Sequence, residues 1–178
     1  MKKRMLLHTC CAPCASGVTW QLEDYDLTLL FYNPNIDSIE EYNRRLNACE
    51  IFCKEFNLKL IAIPYNHEEF TCKILGREND PEGGKRCEIC IGLRLEFTCK
   101  YASENDFNIW ASTLSVSPHK DYLLLNSIGK ELSARYGIEY LEANFKKNDG
   151  YLLSIRNSQK YDLYRQRYCG CKYSIWEK

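Results

Sequence analysis

Proline and glycine are scarce in this chain, 5 and 9 of 178 residues. That excludes a collagen-like or Pro/Gly-rich linker polymer. Neither sign of charge dominates: 24 Lys and Arg face 24 Asp and Glu, for a formal net charge of zero. A global basic field for nucleic acid is therefore absent, and any RNA-binding surface has to be a local patch. Long apolar runs are missing too, and nothing approaches the roughly 18 residues of a membrane span. The basic start Met1 to Arg4 is followed only by Met5-Leu6-Leu7 before His8, too short for a secretory core. These features predict a cytoplasmic protein with no membrane partner. Phosphate cradles are lacking as well, since neither GxGxxG nor a GxxxxGK run ending in Ser or Thr occurs. Electrons for redox chemistry would then have to come from an external donor.

What the chain has instead is cysteine, 11 in all. In a reducing compartment, clustered cysteines point to metal ligands or redox catalysts before a disulfide framework, and an odd count argues against full pairing. Seven of them fall in three groups: Cys10, Cys11 and Cys14; Cys87 and Cys90; Cys169 and Cys171. The other four, Cys49, Cys53, Cys72 and Cys99, lie singly in apolar helical patterns and are expected as small buried hydrophobes.

The length suits one α/β domain. Strands are predicted at Lys3 to Thr9, Leu27 to Tyr32, Leu58 to Ile63, Phe107 to Ser112 and Ile138 to Leu141. Helices are predicted over Ala15 to Glu23, after a capping box of Ser38 and Glu41, over His67 to Leu75, over Arg86 to Glu104, and from Asp121 to Tyr136 with Gly137 as its stop. Alternating strands and helices imply a mainly parallel sheet. In such sheets ligands bind beyond the carboxyl ends of the strands, where Cys10 and Cys11 follow the first one. Pro13 stiffens that turn, and a helix starting near Ala15 would favour anionic sulfur.

Four thiolates satisfy one structural zinc or one iron–sulfur cluster. Seven exceed either by three, which suggests a cluster with a second metal or with a redox thiol. A closed zinc site with spectator thiols and a CxPC dithiol of Cys11 and Cys14 stay open as alternatives. The corresponding functions are an iron–sulfur enzyme, a zinc-stabilised RNA-binding module and a thiol–disulfide oxidoreductase. The segment 142–178 is expected to form a helical C-terminal tail that completes the metal site. From Lys146 to Tyr173 it carries Lys146, Lys147, Arg156, Lys160, Arg165, Arg167 and Lys172 against Asp149 and Asp162. Tyr161, Tyr164, Tyr168 and Tyr173 interleave with these cations, a pattern that suits an RNA backbone with unstacked bases.

Several of these motifs carry a family pattern. Leu6-Leu7-His8-Thr9-Cys10-Cys11-Ala12-Pro13-Cys14-Ala15, Phe31-Tyr32-Asn33-Pro34-Asn35-Ile36 and Glu82-Gly83-Gly84-Lys85-Arg86-Cys87-Glu88-Ile89-Cys90 resemble epoxyqueuosine reductases of the QueH type. Arg94-Leu95, Thr113-Leu114, Ser117-Pro118-His119 and Leu163 to Cys171 fit in the same order, so the resemblance spans nearly the whole chain. One departure is Asn144, where the family commonly has an acidic residue before Phe145.

The resemblance implies a single Rossmann-like (HUP-like) domain over 1–178. It implies reduction of the epoxide of epoxyqueuosine at the tRNA wobble position. It also implies a [4Fe–4S] cluster, an additional mononuclear metal taken as iron, and no cobalamin. On this reading Cys10, Cys11, Cys87, Cys90, Cys169 and Cys171, with Cys14 as a further candidate, are metal ligands. Asn33 and Asn35 would line the modified-base pocket, while Arg165, Arg156, Lys146 and Lys147 meet tRNA phosphates. His119 and His8 are the candidate proton donors, because imidazole suits proton transfer near neutrality.

Overall fold

The computed structural model describes residues 2–174. Five strands form one parallel sheet: β1 (Arg4–His8), β2 (Asp26–Phe31), β3 (Lys59–Ala62), β4 (Ile109–Ser112) and β5 (Glu139–Tyr140), in the order β3-β2-β1-β4-β5. The chain builds outward from β1 to β3, then crosses back to lay β4 on the other side of β1. The switch point therefore lies between the carboxyl ends of β1 and β4, where a parallel sheet opens a ligand crevice. Cys10 follows β1 directly, as the sequence predicts.

Both faces of the sheet are covered. Alternation along each strand divides the core, since successive side chains point to opposite faces. Met5, Leu7, Leu29, Phe31 and Ala111 face α1 (Ala12–Ser16) and α2 (Ile39–Glu55), with Phe145 and Leu163 of the tail. Leu6, Leu30 and Trp110 face α4 (Lys85–Glu104) and α5 (Tyr122–Tyr136) through Ile91, Leu95, Leu125 and Leu132. Burial on both sides is why these strands read as continuous apolar runs. In chain order, α3 (Glu68–Lys73) precedes α4, and α6 (Gly150–Lys160) closes the tail over α1, with Asn157 Nδ2 donating to the Ser16 carbonyl at 2.8 Å.

Local signals account for the helix ends. Asp121 Oδ1 accepts from the amides of Leu123 and Leu124 at 2.9 and 3.4 Å, and Gly137 ends α5 with φ of 67°. Ser38 Oγ accepts from the Glu41 amide at 3.2 Å, but the Glu41 carboxylate turns to Arg45 rather than back into the expected capping box.

Three expectations are corrected. The first helix starts at Ala12, with Pro13 in its first turn, so it is only five residues long and adds little dipole to the thiols beside it. The fifth strand is reduced to two residues. Cys72 is exposed, not buried: on the short α3, Phe70 and Ile74 take the inward positions four residues apart, and Cys72 falls on the other face.

Helix α5 crosses β5 at Gly129, where an added Cβ would lie 2.4 Å from the Tyr140 ring. That ring cannot swing away, because it packs on Trp110 at 4.6 Å and donates to Asn126 Oδ1 at 2.9 Å. Replacing a mid-helix glycine by alanine ordinarily gains about 1 kcal/mol. Here Gly129→Ala is expected to lose about 1–3 kcal/mol from overpacking, read as a lower urea midpoint at unchanged slope. A raised midpoint would show that the close approach relaxes.

Candidate metal centre

The loop after β1 gathers three thiols. The ligand atoms of Cys10, Cys11 and Cys14 all lie within 4.8 Å of one another, and the Cys10 and Cys11 sulfurs are 3.7 Å apart. Cys11 is buried while Cys10 and Cys14 are partly open. Hydrogen bonds from Cys11 and Cys14 hold the Cys10 thiol well below its ordinary pKa. The same bond to Cys10 pushes Cys11 up to about 12 and raises Cys14. The trio thus stabilises one thiolate on Cys10, with two thiols donating to it. Thr113 Oγ1 adds a donor to Cys10 Sγ at 3.5 Å, and Gln166 Nε2 donates to Cys11 Sγ at 2.9 Å.

The other four clustered cysteines form a second set. Cys87 and Cys90 sit one turn apart at the start of α4, on neighbouring positions of one helix face. Cys169 and Cys171 come from the tail, and all four thiols line one small cavity. Cys90 and Cys171 are buried against Phe70 and Ile74, and burial pushes the Cys90 thiol up to about 11. The Gly83 amide donates to Cys87 Sγ at 3.3 Å, and Lys120 Nζ to Cys169 Sγ at 3.1 Å. Burial works against the Lys120 charge, but the Cys169 sulfur beside it outweighs that and raises the Lys120 pKa.

A clamp from α2 holds the tail in place. Arg45, 2% exposed, donates from Nε to Glu41 Oε1 at 2.7 Å, from Nη1 to the Cys169 carbonyl at 2.9 Å and from Nη2 to the Tyr168 carbonyl at 3.2 Å. Tyr164 donates to the second Glu41 oxygen at 2.8 Å, and Tyr168 to Asp37 Oδ1 at 2.7 Å. Gly170, at φ of 133°, leaves no room for a side chain: a Cβ would come within 3.0 Å of Asn35 Nδ2 and 3.2 Å of Arg45 Nη1. The tail between the two cysteines is therefore pressed onto α2 and the loop after β2.

Beside the two thiol sets opens a cleft of about 270 Å³. Its walls include Cys10, Cys14 and Cys169 of the expected ligands, and His119 and Arg165 of the other expected site residues. Glu82, Arg94, Lys120 and Cys169 line both the cleft and the four-thiol cavity. Cys11 lies under Cys10.

Other expected residues are elsewhere. Asn33 and Asn35 line neither cavity: both are buried, Asn33 Nδ2 donates to the Thr9 carbonyl at 3.0 Å, Asn35 backs Gly170, and the Oδ1 of each has no partner. His8 is fully buried, with Nδ1 on Ser112 Oγ at 2.9 Å and Nε2 on the Tyr32 carbonyl at 3.1 Å. Burial, with the Arg94 charge adding to it, pulls its pKa down to about 4. Both ring nitrogens are thus engaged inside the fold, and His8 does not line the cleft. Lys146 donates to the Lys120 carbonyl at 2.9 Å and buttresses that loop. Arg156 and Lys147 are exposed outside the cleft, and Asn144 lines neither cavity.

Sequence reasoning passed over Arg45, Arg94, Lys120 and Gln166. The first two had a visible signal. Arg45 falls on the stripe of Tyr42, Cys49 and Phe52, and Arg94 on that of Ile91, Leu95 and Cys99, where a charge needs a reason to be buried.

The chain is similar to known proteins along most of its length. Residues 5–177 match the family model of epoxyqueuosine reductase QueH. The epoxyqueuosine reductase QueH of Streptococcus pyogenes is 38% identical over 98% of this chain and 71% of its own length. That of Staphylococcus epidermidis is 37% identical over 99% and 78%. Among solved structures, the U34-tRNA thiolase NcsA of Methanococcus maripaludis, described with its [4Fe-4S] cluster, superposes with a TM-score of 0.61 at 14% identity. The alignment covers 99% of this chain and 63% of that one, and shows a shared fold.

Removing the clamp leaves a buried carboxylate and two carbonyls without their donor. Arg45→Ala is expected to cost about 3–5 kcal/mol in urea unfolding of the metal-free protein, and to open the tail near Tyr168 to limited proteolysis. A loss below about 1 kcal/mol, the range of an exposed pair, would show that the tail is held without it.

Proposed function

The chain belongs to the epoxyqueuosine reductase QueH family, and from that membership we propose how its own groups share the reaction. The protein is an oxidoreductase of tRNA modification, reducing the epoxide of epoxyqueuosine at the wobble position to the alkene of queuosine. The step takes two electrons and two protons, breaks both carbon–oxygen bonds and releases the oxygen as water.

The observation that carries the assignment is the split of the clustered thiols into four around one cavity and three at the cleft. The set of Cys87, Cys90, Cys169 and Cys171 is assigned to a [4Fe–4S] cluster, since four thiolates complete one. The set of Cys10, Cys11 and Cys14 is assigned to the mononuclear iron, since three ligands leave a position open. The donors fit: every ligand is sulfur, and Lys120 and Arg94 offset thiolate charge from the shared wall. When bound, the two centres would supply electrons and a Lewis acid for the epoxide oxygen.

The chain's own side chains do the rest. His119, on the cleft wall, is the group assigned to hand a proton to the departing oxygen. Arg165, whose guanidinium lies 5.8 Å from the Tyr151 ring centre, binds a phosphate at the cleft. Arg156 and Lys147 extend the basic surface along the RNA backbone. Electrons arrive from an external donor, and the reaction belongs to the cytoplasm.

Anaerobic reconstitution followed by iron, sulfide and absorbance measurements tests the split. Cys90→Ser is expected to lose the cluster absorbance and at least half of the iron. Cys14→Ser should keep that absorbance yet lose more than tenfold in turnover of an epoxyqueuosine-bearing tRNA stem-loop. Zinc as the sole bound metal, with no turnover, would replace this reading by a zinc-stabilised RNA-binding module. Reduction of an insulin-type disulfide by metal-free protein through Cys11 and Cys14, without epoxide turnover by the loaded protein, would replace it by the dithiol reading.

Loss of a positioned acid ordinarily costs 10²–10⁴-fold. His119→Gln is expected to keep its full iron content and lose turnover by about that factor. Wild-type turnover by this variant across neutral pH would remove His119 as the proton donor.

A further inference from the structure

Arg45, Arg86 and Arg94 are buried to 2% exposure or less. Arg45 has Glu41 and two tail carbonyls. Arg86 donates from Nη1 to the carbonyls of Arg77, Glu78 and Asp80, though its Nε is left without an acceptor. Of the three, Arg94 alone donates to nothing outside its own helix. Its Nε donates to the Cys90 carbonyl of its own helix at 3.2 Å, and its Nη2 is buried without an acceptor. It enters none of the carboxylate ion pairs found among the described residues.

A guanidinium taken out of water and left unpaired costs several kcal/mol. An apolar residue would fill this stripe between Ile91 and Leu95 more cheaply. Arg94 nonetheless stands where the two thiol sets meet, lining both the cleft with Cys10 and the cavity with Cys90, Cys169 and Cys171. Burial works against its charge, and the sulfurs of Cys90, Cys169, Cys10 and Cys171 around it outweigh that. Lys120, the other cation on that wall, already has its ammonium on Cys169. The guanidinium of Arg94 keeps its charge at every working pH, and its Nη2 has an N–H to give toward sulfur.

We propose that Arg94 is the positioning residue that sets the reduction potential of the four-cysteine centre, supplying from between the two thiol sets the fixed positive charge that favours its reduced form. The inference builds on the cluster assignment above. Net charge and hydrogen bonds to sulfur are among the factors that tune such potentials. A cation close by stabilises the extra electron, so removing it makes reduction harder. A role in packing alone would leave the potential unmoved.

The test compares anaerobically reconstituted wild type, Arg94→Gln and Arg94→Lys by iron and sulfide content and by a dye-mediated potentiometric titration followed by electron paramagnetic resonance. Arg94→Gln with normal iron and sulfide should have a midpoint more negative by at least a factor of ten in the one-electron equilibrium, about 59 mV. Arg94→Lys, which keeps the charge but not the planar fork, should fall between the two. A wild-type midpoint in loaded Arg94→Gln would overturn the proposal. If Arg94→Gln does not load, the lysine variant decides: loading with a midpoint less than tenfold from wild type supports the charge role, and failure to load, or a tenfold shift, overturns it. Wild-type protein that takes up no iron and sulfide would instead overturn the cluster assignment, a different failure from a loaded Arg94→Gln whose potential is unchanged.

Discussion

The contact between Arg45 and Glu41 on one side and the tail carbonyls of Tyr168 and Cys169 on the other is the constraint from which the rest of the site follows. Cys169 and Cys171 lie some eighty residues beyond Cys87 and Cys90, on a segment with little regular structure. A loop of that kind has no local reason to hold two sulfurs opposite a helix start. A buried, bidentate donor to consecutive carbonyls supplies one, and the ion pair behind it prevents the guanidinium from turning away. Gly170 completes the contact by omitting the side chain that would keep the tail off α2.

Charge balance explains why so many ionisable groups are buried around a small volume. The protein is neutral as a whole, yet Arg94, Lys120 and the thiols of both sets crowd one wall. Each would be costly to bury alone. Together they offset one another, and the Cys10 thiol is held below its ordinary pKa by the Cys11 and Cys14 thiols beside it. Cys49 shows the contrast: burial raises its thiol well above the ordinary pKa, and it packs in the core beside Ala48 and Phe52.

The topology then decides what the site can reach. Because β1 lies between β2 and β4, its carboxyl end faces the switch point of the sheet. Cys10 comes from one side of that crevice, the Ser117 to Lys120 loop from the other, and the tail closes over it. The cysteines thereby occupy the place where open parallel sheets bind ligands, and Arg165 and Arg167 of the tail line its wall.

The sequence by itself determined the α/β class, the parallel strands and the ends of α2 and α5, because these depend on local periodicity, caps and stop residues such as Ser38, Asp121 and Gly137. It also marked the seven clustered cysteines off from the four single ones, since their close spacing is a feature of the chain itself. It left open residues whose surroundings turn on distant partners. Asn33 and Asn35 look like a polar turn ready for a ligand, but both are buried, Asn33 on the Thr9 carbonyl and Asn35 behind Gly170. His8 looks like an acid beside a metal, but Ser112 and Tyr32 occupy both of its nitrogens. Cys72 shares a helix with inward Phe70 and Ile74 but lies on the opposite face. Only the tertiary structure divided the thiols into four and three, and only it placed Arg45 on the tail carbonyls and Arg94 between the two sets. The physical reason is that sulfur grouping and charge compensation are set by distances through space between segments tens of residues apart, which no local pattern encodes.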